Sequence, residues 1–294
     1  MQGQDWLAER FEENRGRLQG VAYRMLGSLN EAEDAVQESW LRLSRSNSGE
    51  IENLAAWLTT VVSRVCLDML RSRKTRREES MEEQVFEPAA VAASSTDPER
   101  EAVMADAVGV ALLVVLNRLT PAERLAFVLH DMFAASFEEI GSIMGRSTMA
   151  ARQLASRARR RVQGAPATPE AELNGQRTLI AKFLAAVRAG DVSALVAVLD
   201  PELVVRIDEA SVLPDGQREV RGAEVWARQA IAVSRGARFV QPVLVDGVPG
   251  VVLAPHGRLM RVLRFTFAED RIVSIDIVGD PEDLGRMDLA VLGE

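Results

Sequence analysis

The chain has 294 residues, 47% of them hydrophobic, and a formal net charge of -8 at neutral pH, enough length and apolar content for two or three domains with a core each. Its one cysteine, Cys66, excludes an internal disulfide framework and fits a reducing compartment, and no stretch reads as a signal peptide or membrane span, so a cytoplasmic protein with no membrane partner is expected. No HExxH, CxxC, P-loop or dinucleotide fingerprint occurs, so neither metal nor cofactor is implied.

In chain order, "LNEAEDAVQESWLRLSR" predicts a helix opened by an Asn30/Glu33 capping box, with Ala32, Ala35, Val36, Ser39, Trp40 and Leu43 inward. Glu31, Asp34, Gln37 and Glu38 are left outside. An acidic face repels phosphate and suits a basic protein surface or water. "NLAAWLTTVVSRVCLDMLRSRKTRREE" then places Trp57, Leu58, Val61, Val62, Val65 and Met69 in or near a core and leaves Arg64, Arg71, Arg73, Lys74, Arg76 and Arg77 outward. The apolar neighbours of Cys66 make it a core residue rather than a redox switch.

An acidic, Ala/Ser-rich linker over 81–98 separates this helical region, 1–80, from a second, 99–164. In the second, Thr120/Glu123 and Ser136/Glu139 are capping boxes, Pro121 opens a helix, and Gly145 ends a short one. The next helix starts near Ser147 or Thr148, with Ala151, Leu154, Ala155, Ala158 and Val162 inward. Ser147, Thr148, Arg152, Gln153, Ser156, Arg157 and Arg160 are the phosphate- and base-contacting types a helix-turn-helix presents to DNA. Basic residues near a helix C-terminus also complement its dipole, which is the plainer reading of the same arginines.

These segments together resemble the extracytoplasmic-function, or group IV, sigma factors of bacterial RNA polymerase. "EAEDAVQESWLRL" is similar to region 2.2, "NLAAWLTTVVSRVCLDMLRSRKTR" to regions 2.3 and 2.4, and "LTPAERLAFVLHDMFAASFEEIGSIMGRSTMAARQLASRARRRV" to region 4. The resemblance implies two all-α domains, a helical bundle and a helix-turn-helix. It implies that Asp34, Gln37 and Glu38 meet the clamp helices of the largest subunit of the polymerase core. Asn53, Trp57, Arg64, Arg71, Arg73, Lys74, Arg76 and Arg77 would contact the promoter -10 element, and Ser147 to Arg160 the -35 element.

After the Gly164/Pro166/Pro169 break, residues 170–294 predict a long helix, a Gly190-Asp191 break, a short helix, a strand near 203–207, a helix in "GAEVWARQAIAVSR", and strands near 239–245, 250–254, 259–268 and 272–278. The expectation is an α+β domain with an antiparallel sheet. "FLAAVRAGDVSALVAVL", "VDGVPG" and "FTFAEDRIVSIDIVGDPEDL" resemble the SnoaL-like branch of the NTF2-like superfamily, which implies a cone-shaped domain. As an extension of a sigma factor it implies regulation in cis. Asp208, Asp246, His256 and Asp276 are candidate pocket residues, for an unidentified small molecule or for acid-base work. Three functions stay open: sigma factor, ligand-responsive DNA-binding regulator, and isomerase or cyclase fused to a DNA-binding module. The first, which needs no catalytic residue, accounts for both the acidic face and the basic helix.

Overall fold

The computed structural model describes residues 2–46, 51–80, 109–211, 218–232 and 239–292. The predicted linker, 81–98, lies outside the described residues, as does the stretch 99–108. Among the described residues no helix is long and apolar enough to cross a membrane.

The described residues fall into two compact units. The first comprises those of the span 1–108 with 119–159, and the second those of 109–118 with 160–294. In the first, α1 (Gln2–Leu26), α2 (Leu29–Arg45) and α3 (Leu54–Ser80) pack as a bundle. Phe11, Leu18, Tyr23, Leu43, Leu58 and Val62 are buried at its centre, and Phe11 meets Trp40 at 5.1 Å between ring centroids. The expected Asn30/Glu33 capping box is not the start of α2. Its N-cap is Ser28, extended at φ -137° and ψ 132°. Leu29 begins the helix because its side chain is drawn into the core, 2% exposed, which places Asn30 within the first turn.

The helix-turn-helix of the first unit follows the local signals closely. The Thr120/Glu123 box caps α5 (Pro121–Phe127), whose axis continues through a π-helical turn, Val128–Met132. The Ser136/Glu139 box caps α6 (Phe137–Met144), and Gly145 closes it in the left-handed region. Gly141 is required by the turn, since a Cβ there would sit 2.8 Å from the Arg146 carbonyl oxygen. The last helix, α7 (Thr148–Gln163), buries Ala151, Leu154, Ala155, Ala158 and Val162, the stripe expected from sequence.

The second unit begins with a helix that comes early in the chain. In α4 (Val110–Leu116) five aliphatic residues are buried: Val110, Leu113, Val114, Val115 and Leu116. It packs on β3 (Val240–Val245), β7 (Leu289–Val291) and the 3-10 turn Pro255–Gly257. The residues that follow fasten it. Asn117 Nδ2 donates to the Gly257 carbonyl at 3.1 Å, and the Arg118 guanidinium donates to the carbonyls of Leu284 and Gly285.

The rest of this unit runs α8 (Glu170–Ala189), α9 (Val192–Val198), β1 (Leu199–Ile207), β2 (Glu219–Arg221), α10 (Ala223–Ala232), β3, β4 (Val248–Leu253), β5 (Arg261–Ala268), β6 (Arg271–Val278), α11 (Pro281–Arg286) and β7. The strands form one sheet ordered β2-β1-β6-β5-β4-β3-β7. It is mixed, correcting the antiparallel expectation: β1 pairs with β6 in parallel, Arg206 opposite Asp276, because four strands and a helix intervene before the chain returns beside β1. Ile180 and Phe183 of α8 and Trp226 of α10 pack on the inward side chains of the sheet. Phe183 lies 5.8 Å from Trp226 and 5.2 Å, edge-on, from Phe265.

Leu113→Ala should therefore act on a domain more than a hundred residues downstream. Truncating a fully buried leucine costs about 2–5 kcal/mol. Amide hydrogen exchange in β3 and β7 should accelerate correspondingly while exchange in α1 and α2 stays unchanged. Acceleration confined to α5–α7 would contradict this placement of α4.

Candidate nucleic-acid interface

Helix α7 carries most of the residues expected to face DNA. Arg152, Gln153, Ser156, Arg157 and Arg160 are exposed, while Thr148 is half-buried. Ser147 is exposed but its hydroxyl oxygen accepts the Ala150 amide at 3.2 Å, so it caps the helix. Arg159, on the same helix, is bound inside the unit: its Nε and Nη2 donate to Asp131 Oδ1 at 2.8 and 2.6 Å. Arg152 is held by a stack that sequence spacing does not reveal. Its guanidinium lies 5.3 Å from the Phe137 ring centroid, and Phe137 stacks on His130 at 4.0 Å. A cation over an aromatic face is attracted by the ring quadrupole, which ties Arg152 to α6.

On α2, Asp34 and Gln37 are exposed, and Glu38 is partly covered by Arg42, whose Nε donates to Glu38 Oε1 at 2.8 Å. On α3 the expected residues divide. Asn53 caps the helix, its Oδ1 accepting the Ala56 amide at 3.0 Å. Trp57 is half-buried, and Arg71 is exposed 3.7 Å from Asp68. Lys74, Arg76 and Arg77 follow on the last turns of the helix. The other two arginines have internal acceptors. Arg73 pairs with Glu31 and donates from Nη1 to the Leu26 carbonyl at 3.1 Å. Arg64 reaches across to the helix-turn-helix, donating from Nη2 to Ser142 O at 3.2 Å and from Nε to Ile143 O at 3.3 Å, the carbonyls of the last turn of α6. A cation at a helix C-terminus is favoured by the helix dipole as well as by the free carbonyls.

Arg64 is one part of a clasp between the bundle and the helix-turn-helix. Arg124 of α5 is 3% exposed and donates from Nε to the Arg24 carbonyl at 2.8 Å, near the end of α1. Burial, with Arg73 adding to it, pulls the Arg124 guanidinium down to about 9, still charged at neutral pH. The Arg24 guanidinium lies 5.4 Å from the Phe133 ring centroid, and burial lowers its pKa as well. Beside Arg124 the thiol of Cys66 is buried, which pushes its pKa up to about 12.

Asp276, on β6, faces the polar side of the sheet between Arg206 at 3.6 Å and Arg264 at 3.7 Å. Asp208 Oδ2 accepts the amides of Gly279 and Asp280 at 2.6 and 2.7 Å. Burial raises its pKa, but Ser211 beside it and those two amides outweigh that and hold it below the usual carboxylate value. Asp246 is exposed in the β3–β4 turn and accepts the Asp288 amide at 2.9 Å. His256 lies in the Pro255–Gly257 turn. The α3–α6 contact and the placement of α4 are the features sequence reasoning missed, and neither leaves a local signal.

Comparison with known proteins bears on both units. The family model for Sigma-70 region 2 matches residues 10–76, and that for Sigma-70, region 4 matches residues 109–162. The ECF RNA polymerase sigma factor SigJ of Mycobacterium tuberculosis is 42% identical over 219 residues, covering 74% of this chain and 70% of the relative. The probable ECF RNA polymerase sigma factor SigI of the same species is 33% identical over 287 residues, covering 97% of each. The crystal structure of M. tuberculosis SigJ aligns with 95% of this chain and 98% of its own at 33% identity and a TM-score of 0.45.

The clasp has a chemical reporter. With its thiol pKa raised by burial, Cys66 is neutral and shielded at pH 8, and only the thiolate reacts. Iodoacetamide should leave it unmodified in the native chain and alkylate it rapidly in urea. Modification of the native chain at the unfolded rate would contradict the packing of α3 on α5.

Proposed function

The chain belongs to the extracytoplasmic-function sigma factors of RNA polymerase, and on that premise we propose that it selects promoters through three surfaces and is restrained by its own C-terminal domain. Membership makes it a non-catalytic factor in transcription initiation. In our reading the exposed Asp34 and Gln37, with the partly covered Glu38, engage the clamp helices of the polymerase. The basic face of α3 takes the -10 element, and the α7 stripe takes the -35 element.

The observation that carries the regulatory half is the position of Arg64. An arginine of the proposed -10 surface gives two of its five N–H donors to the last turn of α6, inside the proposed -35 reader, so moving it onto a promoter phosphate elsewhere competes with this contact. The free chain is then a closed form. Binding to core has to separate bundle from helix-turn-helix, and the observed affinity for core is lowered by the fraction of molecules that are closed.

The C-terminal domain takes part through α4. That helix is matched by the region 4 model yet lies in the second unit, so the proposed -35 reader and the C-terminal domain share one element. We read the domain as SnoaL-like and its role as packing. Its inner face is filled by Phe183, Trp226, Phe265 and the aliphatic side chains around them, which supports protein packing over small-molecule sensing.

A purified transcription assay tests both halves. Full-length chain with bacterial core should initiate from a specific promoter, and a chain ending at Gly164, at equal soluble concentration, should initiate at a different level because α4 has lost β3 and β7. Failure of the full-length chain to confer promoter specificity would contradict the three-surface reading. Equal transcription from both chains would contradict restraint in cis alone.

A further inference from the structure

The α7 stripe contains one residue that the DNA-contact chemistry discussed so far leaves out. Met149 is 60% exposed, in the first turn of the helix. Among the described residues of the helix-turn-helix it is the one large hydrophobic side chain that is exposed. At 100° per residue, Met149, Arg152, Gln153, Ser156 and Arg160 lie at i, i+3, i+4, i+7 and i+11, a single stripe opposite the buried Ala151, Leu154, Ala155 and Ala158.

The N-terminal residues of a recognition helix are the ones that reach base edges. At that end the Ser147 hydroxyl oxygen accepts the Ala150 amide as the helix cap, and Thr148 is half-buried. Arg152, held by Phe137, and Gln153 supply donors one turn later. What the first turn offers is a flexible, polarizable thioether. In the major groove the apolar group available to it is the C5-methyl of thymine.

We infer that Met149 is a specificity residue, reading a thymine methyl in the -35 element. This rests on the proposed DNA role of α7 and goes beyond it, because it names the base and the atom read. The side chain makes van der Waals contact only, so removing the methyl from DNA and removing the thioether from the protein should produce the same, non-additive loss.

Holoenzyme formed from the full-length chain and bacterial core would first select duplexes from a library randomised across the -35 segment. Each thymine of the selected duplex would then be replaced by deoxyuridine, which differs only in lacking the methyl. One replacement should weaken wild-type binding about three- to fivefold, the worth of one buried methyl-sized contact. Met149→Ala should bind the thymine and deoxyuridine duplexes equally, and Met149→Leu should keep the discrimination. A selected element without thymine, or wild-type holoenzyme indifferent to every replacement, would overturn the inference. So would Met149→Ala holoenzyme that binds all duplexes more weakly yet still discriminates, which would assign Met149 to a protein contact. Absence of any selected -35 sequence would instead remove the DNA role of α7, and this inference with it.

Discussion

A guanidinium buried in a protein must find acceptors, and Arg124 finds one at the end of a different helix system. Transferring an unpaired charge from water into a protein interior is costly, so a 3% exposed arginine constrains whatever lies around it. The Arg24 carbonyl meets that need through Nε, which ties α5 to α1. Phe133 beneath Arg24 and the α6 carbonyls beneath Arg64 extend the same contact along the bundle. All three interactions are cations directed at carbonyl oxygens or an aromatic face. A chain that separates bundle from helix-turn-helix must return those cations to water or to another anion, and phosphate is the anion that promoter DNA supplies. The closed form and the proposed open form thus draw on the same arginines.

Helix α4 belongs with the second unit, although the region 4 model matches it. Five buried aliphatic residues, with Asn117 and Arg118 bound to backbone carbonyls of the second unit, make it part of that unit's core. The chain then continues through Leu119 into α5 of the first unit. The inner face of the second unit is filled by Phe183, Trp226 and Phe265.

Sequence reasoning succeeded where the determinants are local. The Thr120/Glu123 and Ser136/Glu139 boxes, the Gly145 stop and the inward alanines of α7 depend on residues three or four positions apart, and each is present. The Asn30/Glu33 box has the same spelling but loses to a tertiary demand, the burial of Leu29. Strands β2 and β7, three residues each, are too short to carry a period, and the parallel pairing of β1 with β6 depends on a return of some seventy residues. For charged residues the limit is similar. Periodicity puts Arg64 and Arg73 outside a helix but cannot say what approaches from the other side. One meets the last turn of α6, the other meets Glu31 and the Leu26 carbonyl. Asp276 likewise alternates onto the polar face, where two arginines from adjacent strands meet it.

Distance between the bundle and the helix-turn-helix, with and without core polymerase, is the most direct measure of this account. Glu13 on α1 and Glu138 on α6 are exposed, and the buried Cys66 leaves cysteines introduced at those sites as the reactive thiols. A donor and acceptor dye on the Glu13→Cys/Glu138→Cys chain should give a single, narrow short-distance population in the free protein and a long-distance population once core is added. A broad or long distribution in the free chain, or a short distance that survives saturation with core, would contradict the closed form.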